Sequence, residues 1–242
     1  MDTAFFASVR SSLFGGKLTQ HQVDVLTAIF EAWAQYGDGD NRKLAYLLAT
    51  AYHETGQFKW LREIWGPTPA QRRYEGKADL GNTVKGDGRR FMGRGLVHIT
   101  GRRNYTDWAK RLGIDIVAQP ELAERIDIAA RILVQGCMLG TFTGVKLGDF
   151  INSAGTRYVN ARKVVNGLDR AEDIAGYTAK FEDAIGDAPT KPAQPPKPAP
   201  APTPSPSAPA QPKSPAAAIA ALVIALAAGA YAFMKSNGVP LP

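Results

Sequence analysis

Leu44-Ala45-Tyr46-Leu47-Leu48-Ala49-Thr50-Ala51-Tyr52-His53-Glu54-Thr55-Gly56 reads as a helix that runs straight into a short polar turn. Glu54 follows Leu47 by seven residues and so projects from nearly the same side of the helix, an apolar side expected to face the core. A carboxyl in the last turn of a buried helix meets partial desolvation and the negative end of the helix dipole. Both favour its protonated form, which is what a general acid working near neutral pH needs. On spacing alone, an exposed glutamate beside a glycine stop remains an equal alternative.

Working outward, Arg42 to Glu54 is helical with Asp40 or Asn41 as its cap, and Asp24 to Trp33, Ile126 to Met138 and Arg170 to Ile185 carry helical spacing. Trp65 to Arg94 is a Gly-, Pro- and Arg-rich stretch with little periodicity, and loops that long are usually functional.

His53-Glu54 is not a zinc-protease motif, because Gln57 stands where the second histidine is required and only His21 and His98 remain in the chain. No metal site is expected. Glycoside hydrolysis needs two carboxyl groups. Glu63 lies in Trp60-Leu61-Arg62-Glu63-Ile64-Trp65, an aromatic setting that suits a carbohydrate cleft or a core equally. Glu75, in Tyr74-Glu75-Gly76-Lys77, also reads as a solvated loop charge. The densest pattern is Gly86-Asp87-Gly88-Arg89-Arg90-Phe91-Met92-Gly93-Arg94-Gly95-Leu96-Val97-His98-Ile99-Thr100-Gly101-Arg102-Arg103-Asn104-Tyr105. Its glycines permit close approach of backbone to a ligand. Glycine with arginine also suits nucleic-acid binding, but the interleaved Leu96, Val97 and Ile99 argue for a packed segment.

The chain has 242 residues, 45% apolar and 21% charged, enough for a globular core. Cys137 is its only cysteine, which excludes an intrachain disulfide; burial as a small apolar residue is expected. Of the net charge of +7, +4 comes from Lys191, Lys197, Lys213 and Lys235, since no acid follows Asp187; residues 1–187 carry +3. That mild basic excess suits an anionic polymer such as a bacterial wall, as it would nucleic acid or an anionic membrane. Met1 is followed by no basic, then apolar, leader, so synthesis in the cytoplasm is expected. Composition divides the chain into a globular domain (1–187), a Pro/Ala-rich linker (188–215), an apolar helix (216–235) and a short tail (236–242). At about 3.1 Å per residue in polyproline II geometry the linker would reach roughly 85 Å. Residues 216–234 lack charge and proline. At about 1.5 Å rise they would span roughly 28 Å, a membrane's hydrocarbon thickness.

His53-Glu54-Thr55-Gly56, Gly93-Arg94-Gly95 through Thr100, Asn104-Tyr105, Val164-Val165-Asn166-Gly167-Leu168 and Ile174-Ala175-Gly176-Tyr177 together resemble glycoside hydrolase family 19, which includes plant chitinases and phage or prophage endolysins. The resemblance spans about residues 5–185. It implies a mainly α, lysozyme-like domain of two helical lobes around a central cleft, with a short hairpin near 82–100. It implies Glu54 as general acid, Glu63 as second carboxylate with Glu75 as the alternative, and Thr100 as the hydroxyl that holds the attacking water. His53, Glu75, Arg94, His98, Asn104, Tyr105 and Asn166 fall at substrate-binding or site-shaping positions, His98 standing where the family usually has Gln. The implied reaction is hydrolysis of β-1,4 glycosidic bonds, with no cofactor. The tethered tail favours an endolysin acting on peptidoglycan strands from a host inner membrane or a virion membrane. Lipid and a holin or virion membrane proteins are then its partners, not nucleic acid. A chitinase or a non-catalytic glycan-binding protein on the same scaffold is the alternative.

Overall fold

The computed structural model describes residues 3–186. The expected linker, membrane helix and tail lie outside the described residues, among which no helix is long and apolar enough to cross a membrane.

Helix α1 (Thr3–Ser12) precedes α2 (Gln20–Tyr36), which starts at a reciprocal cap. Thr19 Oγ1 accepts the Gln22 amide at 3.3 Å, and Gln22 Oε1 accepts the Thr19 amide at 2.9 Å. Val25, Leu26, Ile29, Ala32 and Trp33 form its buried stripe. Helix α3 (Asn41–Glu54) begins at Asp40, whose carboxylate accepts the Arg42 amide at 3.1 Å. From Leu44 to Ala51 it is buried on all sides, so α3 is the central rod around which the rest packs. Its end is built by Thr55, whose hydroxyl donates to the Ala51 carbonyl at 2.5 Å and accepts the Phe58 amide at 3.0 Å. Gly56, Gln57 and Phe58 are all left-handed, at φ 56, 66 and 64°, which turns the chain back and drops Phe58 into the core.

The excursion that follows holds two single-turn helices, α4 (Pro69–Arg72) and α5 (Asp87–Arg90), and ends in α6 (Arg102–Leu112). Helix α7 (Ile126–Leu139) lies against α2, β1 (Ile151–Asn152) pairs antiparallel with β2 (Gly155–Thr156), and α8 (Tyr158–Ala161) leads to α9 (Ala171–Ile185). Helix α9 packs against α1, α3 and α8. The fold is mainly helical, as expected. The hairpin anticipated near 82–100 is reduced to one bridge, Arg94 with Ile99, because Gly95 and His98 are left-handed and break the ladder; the paired strands lie at 151–156 instead. The main apolar core runs through α1, α2, α3, α6, α7 and α9, while Tyr74 and Leu80, with Trp65 against them, form a separate small cluster in the excursion.

Candidate active site

Glu54 emerges at the C-terminal end of α3 with its side chain fully buried. It is not isolated among apolar groups as its helix face suggests. Its Oε1 accepts from Arg162 Nη1, and the Arg162 side chain is also fully buried. Arg162 lies on the turn after α8, where its Nε donates to the Asp169 carbonyl at 3.1 Å. Nothing local marks it in the sequence, where Ala161-Arg162-Lys163-Val164 reads as an ordinary basic surface segment. One helical turn further, the Asn166 amide donates to the Arg162 carbonyl at 2.9 Å. Glu54 Oε2, Arg162 Nη2 and Asn166 Nδ2 are buried with no hydrogen-bond partner among the described residues. Unmatched buried polar atoms are costly, and the free oxygen of Glu54 with the free Nη2 of the Arg162 bonded to it, at a helix end, suits a polar ligand.

Thr50 and Tyr46 lie one and two turns back on the same face of α3. Burial pushes the Tyr46 phenol up, with the Arg162 charge opposing it. Cys137 from α7 is buried as expected, and desolvation pushes its thiol up, so it is no nucleophile. His53, half-buried against the Tyr177 ring, is held below the ordinary imidazole value by desolvation, which the Glu54 charge partly offsets.

Glu63 is placed by backbone pairing with the glycine-rich loop. Its amide donates to the Gly93 carbonyl at 2.9 Å, and the Gly95 amide donates to the Leu61 carbonyl at 2.8 Å. The Glu63 carboxylate is buried and held by three donors. Oε1 accepts from Gln71 Nε2 at 3.0 Å and from the Tyr74 hydroxyl at 3.1 Å, and Oε2 accepts the Gly93 amide at 3.1 Å. Gln71 is fixed in turn, because its Oε1 caps α4 through the Thr68 amide at 2.7 Å. Burial and the adjoining Glu63 charge push Tyr74 upward.

Gly93 is where these groups converge. A Cβ there would lie 3.4 Å from Glu63 Oε2, 3.3 Å from Thr100 Oγ1 and 3.1 Å from His98 Cβ. The absence of a side chain lets a carboxylate and a hydroxyl approach the loop backbone together. Thr100 Oγ1 donates to the His98 carbonyl at 2.9 Å, which orients the hydroxyl. His98 Nε2 lies 3.1 Å from the Trp60 carbonyl and must carry the proton to bond it, so His98 pins the segment leading to Glu63. Its Nδ1 is buried without a partner among the described residues.

The remaining residues expected here support the loop from behind. Arg94 donates to Glu124 at 2.7 Å, the Arg90 carbonyl at 2.8 Å and the Tyr105 hydroxyl at 3.1 Å; the Tyr105 hydroxyl in turn donates to the Met92 carbonyl at 2.9 Å. Asn104 Nδ2 donates to the Thr100 carbonyl at 2.7 Å. Arg94 and Tyr105 are buried, so they shape the site from below. Glu75 is brought to neither catalytic candidate by any hydrogen bond. Its two oxygens accept the amides of Gly86 at 2.6 Å and Gly88 at 2.9 Å, tying down the start of α5. Sequence reading missed Arg162, Gln71, Tyr74 and Glu124; the Thr68-Pro69-Ala70-Gln71 capping box was the one local signal among them. No cluster of His, Cys, Asp and Glu among the described residues is spaced to hold a metal ion.

No family model matches the chain. A glycosyl hydrolase family 19 domain-containing protein from Haemophilus influenzae is 30% identical to it, over 49% of this chain and 72% of that protein. An Arabidopsis thaliana protein named endochitinase At2g43590 is 35% identical over 34% of this chain and 29% of its own length, so the chain spans under a third of that relative. Among solved structures, chitinase C from Streptomyces griseus HUT6037 aligns with a TM-score of 0.48 at 17% identity, covering 80% of this chain and 95% of that one. A chitinase C mutant aligns at 0.48 and 18%, covering 76% of each.

Proposed function

Because the chain belongs to glycosyl hydrolase family 19 and is a glycoside hydrolase acting on glycans, we propose that it cuts the β-1,4 bonds of peptidoglycan, with Glu54 as acid and Glu63 as base. The observation that supports this reading best is the convergence of Glu63 Oε2 and Thr100 Oγ1 beside Gly93. A water there would be held by the threonine hydroxyl while the carboxylate takes its proton. Glu54, ion-paired with Arg162 in this structure, would have to bind a proton in the substrate complex and pass it to the leaving glycosidic oxygen from Oε2, which has no partner among the described residues. Arg162 then neutralises the carboxylate left behind. The water oxygen bonds to the anomeric carbon from the opposite face and inverts it. Inverting enzymes of this kind hold their carboxyl groups about 6.5–9.5 Å apart. In this reading the main core and the Tyr74–Leu80–Trp65 cluster belong to two lobes flanking the cleft.

The basic excess of the globular part fits an anionic wall polymer better than uncharged chitin. Chitin is the second reading, favoured by the name of the Arabidopsis relative. Release of reducing ends and muropeptides from purified peptidoglycan by the wild type, lost in folded Glu54→Gln, supports the proposal. Release from chitin alone transfers it to the second reading, and release from neither removes it.

The apolar 216–235 segment is proposed as a membrane anchor and 188–215 as the spacer that lets the enzyme reach the periplasmic wall from the host or a virion membrane. If a chain truncated after Asp187 lyses cells from within equally fast without a holin, the tether has no such role.

A further inference from the structure

A cavity of about 500 Å³ opens beside the glycine-rich loop, lined by Lys85, Asp87, Arg89, Arg90, Arg94 and Arg102 among others. Its lining includes Met92 and Arg94, the residues on either side of Gly93, so it lies on the loop whose Gly93 amide holds Glu63. Five cations meet there. Asp87 pairs with Arg102 and Glu124 with Arg94, while the Glu75 carboxylate lies on the amides of the same loop. Three carboxylates against five cations leave the rim electropositive.

Lys85, Arg89 and Arg90, all exposed, form no ion pair among the described residues, although the Arg90 charge is felt by Asp87. Arg90 is also pre-positioned. Its Nη2 donates to the carbonyls of Val117 at 3.1 Å and Ala118 at 3.0 Å, neutral acceptors that fix the guanidinium and leave its charge in place. The face of Phe91 lies under both Arg90 and Arg102, at 5.7 and 4.6 Å from its centroid. Five cations lining one recess, two of them stacked on the same ring, make a site for anions rather than a merely solvated face.

We infer that this pocket binds the carboxylates carried on alternate sugars of peptidoglycan, the lactyl-linked peptide side chains, and that it separates this polymer from uncharged chitin. The inference rests on the peptidoglycan reading above and adds to it the element that selects the substrate. Chitin presents no group that the pocket would attract. A wall strand laid past Glu63 would place an anionic substituent on a sugar beside the one being cut.

The test uses the full-length chain, wild type and Lys85→Gln/Arg89→Gln, on three substrates: native peptidoglycan, the same peptidoglycan with its carboxylates amidated by carbodiimide, and a neutral chito-oligosaccharide. Two exposed charges together are worth about tenfold at low salt. The ratio of kcat/KM on native peptidoglycan to that on the oligosaccharide should fall about that much in the double variant, mainly through KM. Amidation should lower the wild type similarly, leave the variant little further to lose, and 0.5 M salt should erase the difference (about five times screening conditions at 0.1 M). Unchanged thermal unfolding of the variant shows that the loss is not misfolding. An unchanged ratio, or insensitivity to amidation while the wild type still releases muropeptides, overturns the pocket and leaves the peptidoglycan reading standing. Sensitivity to removal of teichoic-acid phosphodiesters in place of amidation overturns the carboxylate assignment. No muropeptide release by the wild type brings both down.

Discussion

Glu54 and Arg162, 108 residues apart in the chain, form an ion pair in which both side chains are completely buried. The pair joins the end of the central helix to the turn after α8, so the proposed acid and the packing of that turn depend on one contact. Breaking a buried pair leaves an uncompensated charge, whereas replacing both members can be close to neutral. Arg162→Met is expected to cost about 3–5 kcal/mol, and Arg162→Met with Glu54→Gln to recover most of it. Urea unfolding of the four proteins checks this, and a double variant no more stable than Arg162→Met would show that the pair contributes nothing of this kind.

Glu54→Gln keeps an amide oxygen for Arg162 but leaves that buried charge unbalanced, so it should lose stability while staying folded, and lose roughly 10²–10⁴-fold in kcat, the usual contribution of a general acid. The assay is reducing-end release at saturating substrate. Retention of more than a tenth of the activity would remove Glu54 from the acid's role.

Gly93→Ala tests the convergence of Glu63 and Thr100. The added Cβ would sit 3.1–3.4 Å from His98, Thr100 and Glu63, tighter than ordinary contact, and would push Thr100 and Glu63 away from the water proposed to lie against them. Displacing a reacting group by about 1 Å can cost about 10²-fold, and a loss of that order in kcat is expected with little change in unfolding temperature. Normal turnover by the alanine variant would place the reacting water elsewhere.

The two candidate second carboxylates separate by the same logic. Glu63→Gln should abolish turnover. Glu75→Gln, which weakens two bonds to the α5 amides, should cost about 1 kcal/mol of stability and leave most of the activity. The reverse pattern would make Glu75 the base.

His53 sets an acid limit on stability. Its folded pKa is depressed by desolvation below 6.5, so between the folded value and 6.5 the unfolded chain binds more protons than the folded one. Stability is therefore complete above 6.5 and declines as pH falls through the folded value. The urea midpoint should drop between about pH 7 and pH 5, and His53→Gln should flatten that drop. Asp40 and Asp87, held below 3.8 chiefly by hydrogen bonds from Arg42 and Arg102, act only in stronger acid. An equal slope in wild type and variant would assign the dependence to another group.

Helices α2, α3, α7 and α9 were legible because each carries an apolar stripe at helical spacing, and α3 and α2 have capping residues in the preceding position. Helix α6 was hidden, since its first turn belongs to the glycine-arginine motif and the helix buries only Tyr105, Trp108 and Leu112. Those three positions, followed by Gly113, were a readable helical signal. The hairpin expected near 82–100 did not form because register there is broken by left-handed residues, His98 among them, and a non-glycine in that region is rarely foreseen.

The sequence by itself determined where α3 starts and stops, which face Glu54 leaves from, and that the 93–100 segment packs; these follow from caps, periodicity and glycine spacing within a few residues. Only the tertiary structure decided that Arg162 neutralises Glu54, and that Glu63 converges with Thr100 beside Gly93 while Glu75 anchors a loop. The physical reason is range. A cap or a stripe is satisfied within one or two turns, but a buried charge needs a partner wherever the fold brings one, here from the far end of the domain.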